Sequence, residues 1–91
     1  MRQENTKRIK FSTKYLRSFK KLPHNVQFKL EARELIFKDN IFDVCLDTHK
    51  LHGKDRDCWA YSIDRNYRIK FMFKDDGSVL YLNIGTHDEV Y

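Results

Sequence analysis

Residues 58–85, CWAYSIDRNYRIKFMFKDDGSVLYLNIG, alternate apolar and other side chains with a period of two. This period is typical of β-strands that bury one face. We predict three strands, at residues 58–63, 67–74 and 78–85, with Asp76-Gly77 as the two-residue turn of a hairpin.

The two-residue turn fixes a register, because it pairs Asp75 with Ser78. The pairs expected on the apolar face are Phe73–Leu80, Phe71–Leu82 and Ile69–Ile84. Those expected on the other face are Met72–Tyr81, Lys70–Asn83 and Arg68–Gly85. A three-residue loop at 64–66 continues the pattern, with Trp59, Tyr61 and Ile63 inward and Ala60 and Ser62 outward. The sheet should therefore have one apolar face, which helices cover, and one polar, basic face, where the functional residues are expected.

The N-terminal part of the chain has helical spacing instead. Ser12 is a suitable N-cap for a first helix, and Pro23 ends that helix and begins a second one, which extends to about residue 38. The second helix is apolar on two sides, with Val26, Leu30 and Phe37 on one and Phe28, Ala32, Leu35 and Ile36 on the other. We expect both sides to be covered, either within the fold or by a partner on one side.

With a short first strand at residues 7–11 and a loop-like segment at 39–57, these elements predict an α+β fold. Two N-terminal helices would pack on one face of a twisted, mainly antiparallel four-stranded sheet. The length of 91 residues suits one domain, spanning residues 1–91.

Charge and composition restrict the partners and the compartment. The chain has 18 Lys and Arg against 13 Asp and Glu, a net charge of +5, so polyanions such as nucleic acid or an acidic protein are the expected partners. No apolar run approaches the roughly 20 residues of a membrane span, and we expect neither a signal peptide nor a membrane partner. Two cysteines do not form a disulfide framework, which favours the reducing cytoplasm.

A candidate catalytic group lies at the end of the last strand. If the strand direction persists beyond Gly85, His87 shares the polar face with Arg68. Ribonuclease chemistry needs a base for the ribose 2′-OH, an acid for the leaving 5′-oxygen and a cation for the phosphate charge, and histidine and arginine suit these roles. The spacing by itself favours a structural histidine beside a solvated basic strand over a catalytic one.

A metal site is the competing interpretation of the loop. Cys45, His49, His52 and Cys58 form the pattern Cys-x3-His-x2-His-x5-Cys, which does not have a standard structural-zinc spacing. Ordinary loop histidines and unpaired thiols are favoured, and we expect neither a metal nor a small-molecule cofactor.

Four segments together resemble the RelE/ParE superfamily of bacterial toxins: KKLP at 20–23, THKLHG at 48–53, DRNYRIKFMF at 64–73 and IGTHDEVY at 84–91. The resemblance spans residues 7–91 and implies a microbial-RNase-like fold. In that superfamily the RelE branch cleaves mRNA in the ribosomal A site by metal-independent 2′-OH attack, whereas the ParE branch poisons DNA gyrase. Both branches are neutralised by an acidic antitoxin encoded alongside.

The resemblance also implies roles for single residues. Arg68 matches the phosphate-binding arginine, and His87 matches the catalytic acid or base of YoeB- and YafQ-like members. Tyr91 matches their closing aromatic, which positions the substrate nucleotide, and His49 resembles a further catalytic histidine of YafQ-like members.

The strand before the arginine departs from the RelE pattern. RelE has two lysines where this chain has Ala60 and Ser62, so a lysine base of the RelE type is excluded. The residues expected to supply the positive field for RNA are Lys50, Lys54, Arg65 and Lys70.

The sequence thus predicts a ribosome-dependent mRNA endonuclease toxin, with His87 as general acid and His49 as a candidate base or RNA-orienting group. Its partners would be an acidic antitoxin, the ribosomal A site and mRNA. The alternative is a non-nucleolytic toxin, either ParE-like and gyrase-binding or a catalytically decayed antitoxin-binding homologue. The missing lysines favour this alternative.

Overall fold

The computed structural model describes residues 8–91. The strands are β1 (Ile9–Phe11), β2 (His49–Lys50), β3 (Trp59–Ser62), β4 (Tyr67–Phe73) and β5 (Val79–Thr86). The helices are α1 (Thr13–Lys20), α2 (His24–Asp39) and α3 (His87–Val90), with 3-10 turns at Val44–Leu46 and Gly53–Asp55. The strand order is β1-β5-β4-β3-β2, and all neighbours are antiparallel except β1 and β5.

The predicted α+β class is confirmed, with one strand and one short helix more than expected. The fifth strand, β2, has two residues, which is too short to show a period of two, and α3 has a single turn. The predicted first strand began at residue 7, which lies outside the described residues. None of the described helices is long and apolar enough to cross a membrane.

Local sequence explains how α1 and α2 begin and what they bury. The hydroxyl of Ser12 accepts a hydrogen bond from the backbone N–H of Tyr15 at 3.0 Å, as expected of an N-cap, and Pro23 precedes the first turn of α2. Phe37 of α2 is fully buried, and its ring stacks on Tyr61 at 4.6 Å between centroids and meets Phe71 edge-on at 5.2 Å. The helices therefore cover the apolar face of the sheet.

The second apolar side of α2 is exposed, contrary to the prediction. Val26, Leu30 and Phe37 are buried as predicted, but Phe28 is 76% exposed and Leu35 is 70% exposed. The expectation that both sides are covered within the fold is therefore wrong for the part of the chain that the structure describes, because α2 has the sheet on one side only.

The register of the β4–β5 hairpin differs from the prediction near the turn. The loop has three residues, 75–77, closed by a hydrogen bond from the Lys74 N–H to the Ser78 carbonyl, and Gly77 takes φ = +87°, which favours glycine. The predicted partners of Phe71, Met72 and Phe73 are wrong by one residue. The observed pairs are Phe71–Tyr81, Met72–Leu80 and Phe73–Val79.

A β-bulge restores the predicted register at the far end of the hairpin. The pairing shifts between Lys70 and Phe71, where Leu82 is the extra residue on β5, so that the pairs Lys70–Asn83, Ile69–Ile84 and Arg68–Gly85 are those expected. The shift also buries Tyr81 in the core, where its hydroxyl bonds that of Tyr61 at 2.8 Å and burial raises the pKa of the Tyr81 phenol far above its usual range.

Candidate active site

The end of the sheet where β4 begins and β5 ends carries the first two candidate residues. Arg68 pairs with Gly85, and α3 begins two residues later at His87. The prediction assumed that the strand direction persists to His87. This assumption is wrong, because the chain turns into α3 at that residue. Both side chains nevertheless line one groove. Its lining residues are Arg65, Asn66, Tyr67, Arg68, Thr86, His87 and Asp88.

A capping box starts α3 and fixes the direction of its side chains. One carboxylate oxygen of Glu89 accepts hydrogen bonds from the Thr86 N–H at 2.7 Å and from the Thr86 hydroxyl at 3.1 Å. These bonds lower the pKa of the Glu89 carboxyl. The His87 imidazole is exposed, with Nδ1 3.3 Å from a carboxylate oxygen of Asp88. An exposed imidazole beside a carboxylate is available to a ligand in the groove.

Tyr91 connects the three other candidate residues. Its ring lies 4.5 Å from that of His87 between centroids, in an edge-to-face arrangement, and its hydroxyl oxygen lies 3.1 Å from Nε2 of His49. Burial raises the pKa of the Tyr91 phenol, and the nearby Arg68 guanidinium offsets part of that increase. His49 and Arg68, which are distant in sequence from the C-terminal segment, therefore meet His87 around the phenol ring of Tyr91.

His49 is held from the opposite side. It pairs with Ala60 across β2 and β3, and its Nδ1 lies 2.8 Å from the carbonyl oxygen of Asp47. Asp47 has φ = +52°, a left-handed conformation that aspartate tolerates better than most residues. This turn aims the Asp47 carbonyl back at the imidazole two residues later.

The four basic residues expected to contact RNA occupy different surroundings. Arg65 lines the groove of Arg68 and His87, whereas Lys54 lines a neighbouring groove on the Tyr91 side, together with His52. Lys50 is exposed on β2. The Lys70 ammonium lies 3.5 Å from the Asp55 carboxylate, so part of its charge is compensated locally.

The two positions that lack the RelE lysines also differ from each other. Ala60 is completely buried, although its partner Lys70 lies on the polar face, and Ser62 is half-buried opposite Arg68. Trp59 packs against the core, as predicted.

The loop cysteines and histidines do not assemble into a metal centre. Cys45 is exposed and Cys58 half-buried, both as free thiols. Among residues 8–91, no three His, Cys, Asp or Glu side chains lie close enough to hold a metal ion.

Sequence reasoning did not single out Asn83. Its side chain is 95% buried, accepts a hydrogen bond from the Ser18 hydroxyl at 2.8 Å and donates one to the Glu89 carbonyl at 3.3 Å. It therefore ties α1 to α3, which carries His87. An asparagine between Leu82 and Ile84, in an otherwise apolar strand, is the signal that identifies such a residue.

Gly85 is required by the close approach of Glu89. A Cβ added at Gly85 would lie 2.6 Å from a carboxylate oxygen of Glu89 and 3.0 Å from its Cβ. We expect Gly85→Ala to displace Glu89, weaken the capping box and cost about 1–2 kcal/mol, measured by thermal unfolding.

The Glu89→Ala background is the matched control, because it removes the obstructing carboxylate. Gly85→Ala should cost less there than in the wild type. An equal cost in both backgrounds would show that the carboxylate is not what excludes a side chain at position 85.

Comparison with known proteins places this geometry in a recognisable fold. No protein-family model matches the sequence, and no curated protein is significantly similar to it. Solved structures do match. The chain resembles YafQ in the Escherichia coli DinJ–YafQ toxin–antitoxin complex with a TM-score of 0.74 and 16% identity, over 94% of this chain and 98% of that one.

Two further solved structures have the same fold. A YoeB/ParE toxin from Agrobacterium tumefaciens has a TM-score of 0.73 and 11% identity, over 88% of this chain and 98% of that one. The archaeal RelE–RelB complex of Pyrococcus horikoshii has a TM-score of 0.71 and 18% identity, over 89% of this chain and 94% of that one. The resemblance inferred from four sequence segments is thus confirmed at the level of the fold: the chain has the fold of these YafQ, YoeB/ParE and RelE structures.

Proposed function

We propose that the protein is the toxin of a toxin–antitoxin pair and acts as a ribosome-dependent, metal-independent mRNA endoribonuclease. The observation that carries this proposal is the convergence of Arg68, His87, His49 and Tyr91 at one end of the sheet. Two imidazoles, a guanidinium and an aromatic ring are the groups that acid–base cleavage of RNA requires.

The proposed reaction assigns one proton transfer to each imidazole. Nε2 of His49 takes the proton of the ribose 2′-OH as the 2′-oxygen bonds to phosphorus. The bond from phosphorus to the 5′-oxygen breaks, and the protonated imidazole of His87 delivers its proton to that oxygen. The products are a 2′,3′-cyclic phosphate and a 5′-hydroxyl end.

Arg68 and Tyr91 would orient and stabilise the reacting phosphate. A guanidinium stays charged at all physiological pH values and binds two phosphate oxygens at once, so Arg68 suits the charge that develops in the transition state. The half-exposed ring of Tyr91 offers a surface on which a base can stack. Arg65, Lys50, Lys54 and Lys70 would add sequence-independent contacts to RNA phosphates.

The proposed partners follow from charge and fold. A chain with net charge +5 attracts an acidic antitoxin as well as the mRNA and ribosomal RNA of the A site. The similar YafQ and RelE chains were solved in complexes with DinJ and RelB. We place the protein in the cytoplasm, where translation supplies its substrate.

A second candidate function is a ParE-like toxin that binds gyrase, or a catalytically decayed homologue that binds only its antitoxin. Ala60 and Ser62 favour it, since they stand where RelE has two lysines. Adding the protein to a reconstituted translation system and to a gyrase supercoiling assay separates the candidates. The proposal expects truncated mRNA and normal supercoiling. Intact mRNA with blocked supercoiling would establish the gyrase poison.

Chelation provides a further prediction. If protons are moved only by histidines, a chelator that removes Zn²⁺ should not change the rate at which the protein cleaves mRNA. The ribosome itself needs Mg²⁺, so the chelator must be zinc-selective and the free Mg²⁺ held constant. A loss of cleavage that added Zn²⁺ restores would contradict the metal-independent mechanism.

A further inference from the structure

The hydrogen bonds of His49 determine which of its ring nitrogens carries the proton. Nδ1 lies 2.8 Å from the carbonyl oxygen of Asp47. A carbonyl oxygen can only accept, so Nδ1 must donate. In the neutral imidazole the proton therefore resides on Nδ1, and Nε2 presents a bare lone pair.

The hydroxyl of Tyr91 is hydrogen-bonded to the lone pair of Nε2. Its oxygen is 3.1 Å from Nε2, and since Nε2 has no proton to give, the phenol is the donor. The pKa of Tyr91 is raised above its ordinary value, mainly by burial, so the phenol keeps its proton at neutral pH. The bond runs from a hydroxyl to an imidazole lone pair, the same arrangement that a ribose 2′-OH needs before its proton is removed.

We propose that Tyr91 caps His49 in the free protein: its hydroxyl occupies the position of the substrate 2′-OH, and RNA must displace it to reach Nε2. The proposal rests on the proposed function, because it takes His49 as the proton acceptor. The phenol ring remains available for stacking after the hydroxyl has moved away. Asp47 and Tyr91 together keep the imidazole in the reactive tautomer and shield its lone pair until a substrate arrives.

The cap has a measurable consequence for activity. Substrate binds only the uncapped fraction of the protein, so the apparent affinity is lowered by that fraction. An ordinary hydrogen bond corresponds to a factor of about five in such an equilibrium. Tyr91→Phe removes the hydroxyl and keeps the ring, and it should raise cleavage at subsaturating substrate by up to about fivefold.

The first test needs no enzymatic activity. The ¹⁵N resonances of the His49 ring are recorded in the full chain, at a pH at which the imidazole is neutral. We expect a protonated Nδ1 and an unprotonated, hydrogen-bonded Nε2 in the wild type. In Tyr91→Phe, the resonance of Nε2 should move to the position of a nitrogen without a hydrogen bond. Tyr67→Phe, which alters a tyrosine of the groove of Arg68 and His87, should leave that resonance unchanged. A protonated Nε2 in the wild type, or no change in Tyr91→Phe, would overturn the proposal.

The second test measures cleavage of a reporter mRNA in reconstituted translation. A faster Tyr91→Phe protein supports the cap, and a slower one would assign the hydroxyl a part in the chemistry and overturn it. If the wild type cleaves nothing, the proposed nuclease fails, while the ring resonances still decide whether the cap exists. The two failures are therefore distinguishable.

Discussion

Replacing His87 with alanine should reduce mRNA cleavage by about 10²–10⁴-fold, the usual contribution of a general acid. The fold should persist, because the imidazole is exposed and Thr86 and Glu89 hold α3 through the capping box. The measurement is the rate of reporter mRNA cleavage in reconstituted translation, with thermal unfolding of the same preparation.

His24→Ala is the matched control for this variant. His24 is also exposed, but it lies at the start of α2, outside the groove. The His24→Ala protein should cleave mRNA at the wild-type rate. A His87→Ala protein as active as His24→Ala would remove His87 from the reaction.

Replacing Arg68 with alanine should slow cleavage by about 10²–10³-fold, by analogy with the loss of one donor to a developing oxyanion. Arg68 is half-buried on β4 between Ser62 and Gly85, so its position in the sheet is fixed before the substrate binds. Arg68→Lys keeps the charge and loses the planar two-point contact, and it should lie between the alanine variant and the wild type. The rate is measured under single-turnover conditions, so that product release does not mask the chemical step.

An arginine on α1 provides the control. Arg17 is exposed on the surface of α1, and Arg17→Ala removes the same charge from the chain without touching the groove. If the cleavage rate falls by the same small factor in Arg68→Ala and in Arg17→Ala, the effect is due to net charge, and Arg68 is not a phosphate ligand.

The sequence predicted the class of the fold and the end of the sheet that carries the site. It did not predict the correct register near the turn of the β4–β5 hairpin. Asp76-Gly77 suits a two-residue turn as well as the observed three-residue loop, because both need a residue with positive φ. The bulge at Leu82 then compensates for the longer loop. The expected pairing of Arg68 with Gly85 is therefore correct, although the turn from which it was derived has another geometry.

The candidate site was predictable in part for similar reasons. Residue type and motif pointed to Arg68, His87, His49 and Tyr91, and the structure brings these four together. Their roles remain predictions. The contact between Tyr91 and His49 depends on a two-residue strand and a one-turn helix, neither of which produces a hydrophobic period. The pattern Thr86-x-x-Glu89 is the sequence signature of a capping box and would have indicated α3.

The most direct test of the nuclease is primer extension on a reporter mRNA, translated in a reconstituted system with the wild type, His87→Ala or His24→Ala. We expect 5′ ends in phase with the codons for the wild type and for His24→Ala, and a signal at least about a hundredfold weaker for His87→Ala. Full-length mRNA with folded wild-type protein present would contradict the nuclease assignment.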